Sequence, residues 1–185
     1  MELKEFIKTI AKTLNRKGIN YMIIGGQAVL IYGEPRLTRD IDITLGIGVE
    51  KCGIIEEIIK DLSLKIIPEN HIDFVKQTMV LPVIDEKSGM RIDFIFSYSE
   101  YEKEALKRVN KIKIDDIEVS YASVEDLIIH KIIAGRERDL EDVKNILLKN
   151  RDIDKKYIKK WLLKFEKILN EKLVERFNRV INCYE

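Results

Sequence analysis

The tripeptide Asp40-Ile41-Asp42 concentrates the most chemistry in this chain. Alternate residues of a strand share a face. In the run Asp40–Leu45, Asp40 and Asp42 therefore point one way, while Ile41 and Ile43 point into a core. Two carboxylates on one sheet face repel each other unless a cation sits between them. Carboxylate oxygens completed by phosphate oxygens are the hard donors that Mg²⁺ takes. An Asp-x-Asp strand also occurs as a solvated edge, so its surroundings carry the decision.

Gly25-Gly26 lies between the apolar run Tyr21–Ile24 and a short helix, Ala28–Tyr32. Glycine admits a phosphate close to the backbone, and the amides of a following helix favour an anion. A tight turn is the plainer reading of the pair. Arg36 and Arg39 bracket the loop before Asp40, placed either to hold phosphates or to pair with carboxylates. A third carboxylate comes from Arg91–Phe96: Ile92, Phe94 and Phe96 share the core face, which leaves Asp93 on the other. His71-Ile72-Asp73-Phe74 is a rival with a similar pattern, but the run around Asp93 is longer and more clearly a strand. Three carboxylates on neighbouring strands are the parts of two-metal phosphoryl transfer. By contrast, His71 and His130 have no zinc-like cluster around them, and Cys52 and Cys183 make neither a disulfide framework nor a metal framework.

Positioning these residues takes a set of predicted elements. Leu3 to Leu14 has helical spacing and ends at Gly18, and residues 50–62 form a second amphipathic helix. Thr78–Ile84 and Met90–Phe96 read as strands joined by a turn at Glu86–Gly89, with Pro82 demoting the first to an edge or bulge. Lys111–Ile114 and Ile117–Tyr121 suggest a hairpin. Ser123 and Asp126 resemble a capping box opening a helix, Val124–Ala134, and another helix follows over Leu140–Leu148. Two more helices, marked by Ile158 to Leu169 and by Val174 to Tyr184, make the tail. The expected fold is α+β: a small mixed β-sheet flanked by helices, with a helical C-terminal part. Residues 1–121 would form the α/β core and 122–185 the helical part, both within one packed domain.

Composition narrows the function classes. The chain has 185 residues, 45% hydrophobic and 35% charged, with 9 Gly and 3 Pro, which excludes a disordered or collagen-like chain. Its 33 basic and 32 acidic residues nearly cancel, which argues against a nucleic-acid-coating protein or stable DNA binding. The stretch 150–185 holds 10 Lys/Arg against 6 Asp/Glu, read either as a solvated face or as an acceptor surface. No leader and no apolar run of about 20 residues is evident, so the expected setting is the cytoplasm, with no membrane contact.

Ile24-Gly25-Gly26 followed by Arg36-Leu37-Thr38-Arg39-Asp40-Ile41-Asp42-Ile43 resembles the signature of the DNA polymerase β-like nucleotidyltransferase superfamily. Ser123 to Lys131, then Arg138-Asp139-Leu140-Glu141-Asp142-Val143, is similar to the AbiEii/AbiGii-type toxin nucleotidyltransferases and their uncharacterised relatives. The likeness covers about residues 20–148, and Gly26 stands where many active members carry Ser. It implies a nucleotidyltransferase moving a nucleoside monophosphate from an NTP such as ATP to an acceptor hydroxyl on tRNA or protein, with Mg²⁺ (or Mn²⁺) as cofactor. Asp40, Asp42 and Asp93 would be the catalytic metal ligands. Gly25, Gly26, Arg36, Arg39 and Lys131 would bind the triphosphate. Thr38 would support the site, and Asp139 or Asp142 would orient Lys131 or the acceptor. A toxin role implies a cognate antitoxin. Two alternatives stand beside it: a catalytically silent nucleotide- or partner-binding module of the same fold, and a small-molecule, antibiotic-type nucleotidyltransferase.

Overall fold

A computed structural model of the chain describes residues 2–182 other than Arg36, Arg39 and Tyr98. Its spine is a mixed sheet of seven strands: β1 (Tyr21–Ile24), β2 (Asp40–Leu45), β3 (Lys65–Ile66), β4 (Val80–Asp85), β5 (Met90–Phe96), β6 (Asn110–Ile114) and β7 (Ile117–Tyr121). Their order across the sheet is β3-β4-β5-β2-β1-β7-β6. The β2–β5 and β1–β7 pairs are parallel, and the other neighbours are antiparallel. β1 is buried at all four positions, as an uninterrupted apolar run in mid-sheet requires. β5 alternates instead, and β2 does so over residues 40–43 before Thr44 and Leu45 are both buried. Ile41, Ile43, Ile92 and Phe94 are fully buried, which turns Asp40, Asp42, Arg91 and Asp93 to the opposite face.

Pro82 is accommodated one strand in from the edge. Only the two-residue β3 flanks β4 on that side, and the Pro82 carbonyl accepts from the Ile67 amide just beyond it. The missing N–H therefore faces a place where the ladder is already ending. The chain between β3 and β4 is a helix, α4 (His71–Thr78), not a strand. Asn70 holds Asp73 at its start, His71 meets Glu56 at 2.9 Å, and Val75 is the residue buried. Asp73 is thereby removed as a rival third carboxylate.

The remaining helices are α1 (Leu3–Arg16), α2 (Gly25–Tyr32), α3 (Cys52–Asp61), α5 (Glu100–Lys107), α6 (Val124–Ala134), α7 (Glu137–Lys149), α8 (Lys155–Leu169) and α9 (Leu173–Asn182). α2 begins at the glycine pair itself, so Gly25 and Gly26 form its first turn. α5 is an element that the sequence pattern does not predict, although Ser99 and Glu102 cap it reciprocally. α6 keeps the expected bounds, with the Ser123 hydroxyl accepting from the Asp126 amide. α7 starts three residues earlier than expected, at Glu137.

The C-terminal helices are stitched to the sheet portion. The Tyr32 hydroxyl donates to the Ala122 carbonyl, the Asn150 amide to the Tyr32 carbonyl, and Arg108 pairs with Glu125 at 3.0 Å. Leu127, Ile128, Val143 and Phe177 join Ile23, Ile41 and Phe94 in one continuous core.

Candidate functional site

The cleft is built where β2 and β5 begin. Their parallel register puts Asp42 directly beside Asp93 and Asp40 beside Arg91. Because both strands bury the alternate residues, the three carboxylates share one face. Gly25, Gly26, Thr38, Asp40, Asp42, Arg91, Asp93, Lys131, Arg136, Arg138 and Asp139 line a cavity of about 410 Å³. Elements from far apart in the chain thus meet in one polar hollow.

Gly25 has a left-handed backbone, φ +63°, and a Cβ built on it would overlap the Asp42 carboxylate. Any side chain at position 25 would evict Asp42 from its place or block the first turn of α2. Gly25 therefore does more than expose an amide: it leaves the volume that the Asp42 carboxylate occupies.

Burial, followed by the charges of Asp93 and Asp40, pushes the Asp42 carboxyl above the usual carboxylate range; Lys131 and Arg136 pull the other way. Clustering of this kind calls for positive charge. Arg91 supplies part of it, its Nε lying 3.0 Å from Asp93 Oδ1. The donor set also fits a divalent cation of the Mg²⁺ type, which accepts one or two carboxylates and leaves its other positions to water and phosphate. Among the described residues, no group of three or more His, Cys, Asp or Glu side chains is placed to hold a metal ion by itself, so the carboxylates would share a cation with water and phosphate.

Lys131 projects from α6 into a different environment from that of a surface lysine. It is 5% exposed, with Nζ 2.7 Å from Asp139 and 2.8 Å from Asp142 on α7. Asp139 is also held by Arg136 at 2.6 Å. Burial opposes ionisation of Asp139, but the hydrogen bonds from Lys131 and Arg136 prevail and hold its carboxyl below the usual range. Asp142 reaches Lys131 without lining the cavity. Arg136, by contrast, has a side chain 79% exposed, so its charge is offered to the cleft.

The structure thus brings together Gly25, Gly26, Thr38, Asp40, Asp42, Asp93, Lys131 and Asp139, with Asp142 just behind. Arg36 and Arg39, expected to bind phosphate, lie outside the described residues, as does Cys183. Three cations at the cleft, Arg91, Arg136 and Arg138, are not among the expected site residues. Arg91 is within reach of the alternation rule, since it shares a strand face with Asp93. Arg136 and Arg138 depend on the tight α6–α7 turn at Gly135, where φ is +62°.

Solved structures share this fold. An antigenic nucleotidyltransferase-like protein from Paracoccidioides brasiliensis aligns with TM-score 0.56 at 17% identity, over 93% of this chain and 92% of that one. ANT(2″)-Ia in complex with adenylyl-2″-tobramycin aligns with TM-score 0.57 at 17% identity, over 78% of this chain and 87% of that one. The lincosamide antibiotic adenylyltransferase LnuA, lincomycin-bound, aligns with TM-score 0.53 at 16% identity, over 79% and 96%. The fold is therefore nucleotidyltransferase-like. The profile described as "Nucleotidyltransferase of unknown function (DUF6036)" matches residues 1–185, and the chain belongs to that family. No curated protein matches the sequence.

Proposed function

We propose that this nucleotidyltransferase transfers a nucleoside monophosphate from an NTP to an acceptor hydroxyl in a reaction that depends on Mg²⁺ or Mn²⁺. The observation that carries the reading is the register pairing of Asp42 with Asp93, with Asp40 on the same face and the α2 first turn alongside. In the transfer, the acceptor oxygen bonds to the α-phosphorus, the bond from that phosphorus to the β-bridging oxygen breaks, and pyrophosphate leaves with the electron pair. A divalent cation held by these carboxylates would stabilise the phosphate charge and lower the pKa of the attacking hydroxyl.

The chain's own residues divide the remaining work. Asp40 and Asp42 would hold the cations, and Asp93 would join them at the catalytic one and help draw the hydroxyl proton. The amides of Gly25 and Gly26 approach the triphosphate. Arg136 and Arg138, with Lys131 behind them and Arg91 across the cleft, neutralise its charge. Thr38 adds a hydroxyl at the rim. Asp139 and Asp142 fix Lys131.

The acceptor we favour is a tRNA or a protein. A toxin role with a cognate antitoxin is compatible with the Ser123–Val143 likeness. Incubation with each labelled NTP, divalent cation and bulk tRNA or protein extract tests the reading. Label transfer by wild type and its loss in Asp42→Ala support it, whereas equal transfer by both overturns it. NTP binding that ignores both Mg²⁺ and the loss of Asp40 would instead favour a silent binding module.

A further inference from the structure

A second hollow, of about 920 Å³, lies between α7 and α9. Arg138 lines both this groove and the carboxylate cleft, so the two spaces adjoin at one side chain. Beyond Arg138 the groove presents Lys144 from α7 and Arg176 and Arg179 from α9, against Glu137 and Glu141. Its lining is net positive in a chain whose overall charge is +1.

The cations differ in kind. Arg176 is fixed in place: its Nη1 donates to the Ile132 carbonyl at 2.7 Å and its Nη2 to Glu171 at 2.7 Å. A Cβ on Gly135 would meet its guanidinium, so the α6–α7 turn is shaped around it. Arg179 has a side chain 71% exposed, and the ion pair it makes among the described residues, with Glu175, is long at 4.0 Å. Its charge is thus available at the groove surface.

We infer that the α7–α9 groove is the acceptor subsite and that it takes the phosphodiester backbone of a single-stranded RNA end, delivering the terminal hydroxyl past Arg138 into the cleft. The inference rests on the nucleotidyl-transfer reading above. Lys144 and Arg179 meet phosphates, Arg176 braces the groove, and Glu137 and Glu141 accept from ribose hydroxyls. The same lining disfavours an acceptor rich in ammonium groups, such as an amino sugar, which these arginines and this lysine would repel.

The test is binding of a labelled ten-nucleotide single-stranded RNA to the full chain across a salt series, with ATP binding measured in parallel. Lys144→Ala/Arg179→Ala is the variant, since neither residue belongs to the catalytic set. Wild type is expected to bind with a negative salt slope. The variant is expected to bind at least tenfold more weakly, with a slope reduced by about 1.4, or about 0.7 for each phosphate left without its cation. Its ATP affinity should not change, which also certifies its folding. Three results overturn the inference: no RNA binding by wild type, equal binding and slope in the variant, or tighter binding of tobramycin than of RNA. Failure of nucleotidyl transfer by wild type would strike the catalytic reading and with it the groove's role as acceptor subsite, but not its RNA binding, which is read without turnover.

Discussion

Gly25 is the most constrained small residue in the cleft. Its left-handed backbone and the overlap of any Cβ with Asp42 leave no room for alanine. Gly25→Ala is therefore expected to lower kcat/KM for nucleotidyl transfer by about 100-fold or more, since a displacement of about 1 Å at a reacting group costs that much. Steady-state pyrophosphate release measures it. Lys131 and Arg136 should separate by their burial. Lys131→Met leaves Asp142 and Asp139 buried without their shared cation, and should cost about 3 kcal/mol in urea unfolding. Arg136→Ala removes an exposed guanidinium, and should cost under about 1 kcal/mol while weakening NTP binding. If both variants unfold alike, the division between a buried strut and a cleft cation is wrong.

Helix α6 carries the clearest pH signature of the elements. His130 packs against Tyr101 with the rings tilted and their centroids 5.6 Å apart, and its Nε2 is enclosed with no hydrogen-bond partner among the described residues. Burial lowers its pKa, opposed by Asp126 and Glu102 and aided by Lys131. The unfolded chain therefore binds a proton more readily than the folded one. Stability from this group is complete above about pH 6.5 and is lost as pH falls below that value, by at most about 1.4 kcal/mol for each pH unit. His130→Phe keeps the ring contact and should flatten unfolding free energy between pH 7 and 5. A variant as pH-sensitive as wild type would refute this.

The elements also differ in how far their sequences reveal them. β2 and β5 are legible because alternation over residues 40–43 and 91–94 buries Ile41, Ile43, Ile92 and Phe94 and turns the side chains between them outward. α6 is legible through its cap. α4 and α5 are not: each is eight residues long and buries one or two side chains, too few to establish a period. The rivalry of Asp73 with Asp93 has the same cause, since in His71–Phe74 a short helical turn and a strand look alike.

At the scale of the whole molecule, the site depends on pairings that no local pattern specifies. β5 joins β2 in parallel across some fifty residues, and that register alone seats Asp93 beside Asp42. The folding of α6–α9 back onto the sheet then brings Lys131, Arg136 and Arg138 to the same hollow. Types and spacing point to Asp40, Asp42 and the glycine pair. The cations Arg136 and Arg138 come from tertiary placement, as does the α7–α9 groove. Near-neutral net charge excludes a nucleic-acid-coating protein but leaves open a local basic surface, which is where the groove falls.

Nucleotidyl transfer at the face that carries Asp40, Asp42 and Asp93 is the central proposal. It is measured most directly as transfer of α-phosphate label from an NTP to bulk tRNA with Mg²⁺ or Mn²⁺, comparing wild type with Asp42→Ala at matched folded concentration. Wild type should give labelled product that is lost on chelation and reduced at least 1,000-fold in Asp42→Ala, an expected bound of about 4 kcal/mol of transition-state stabilisation. Equal transfer by the two proteins would show that these carboxylates do not perform the reaction.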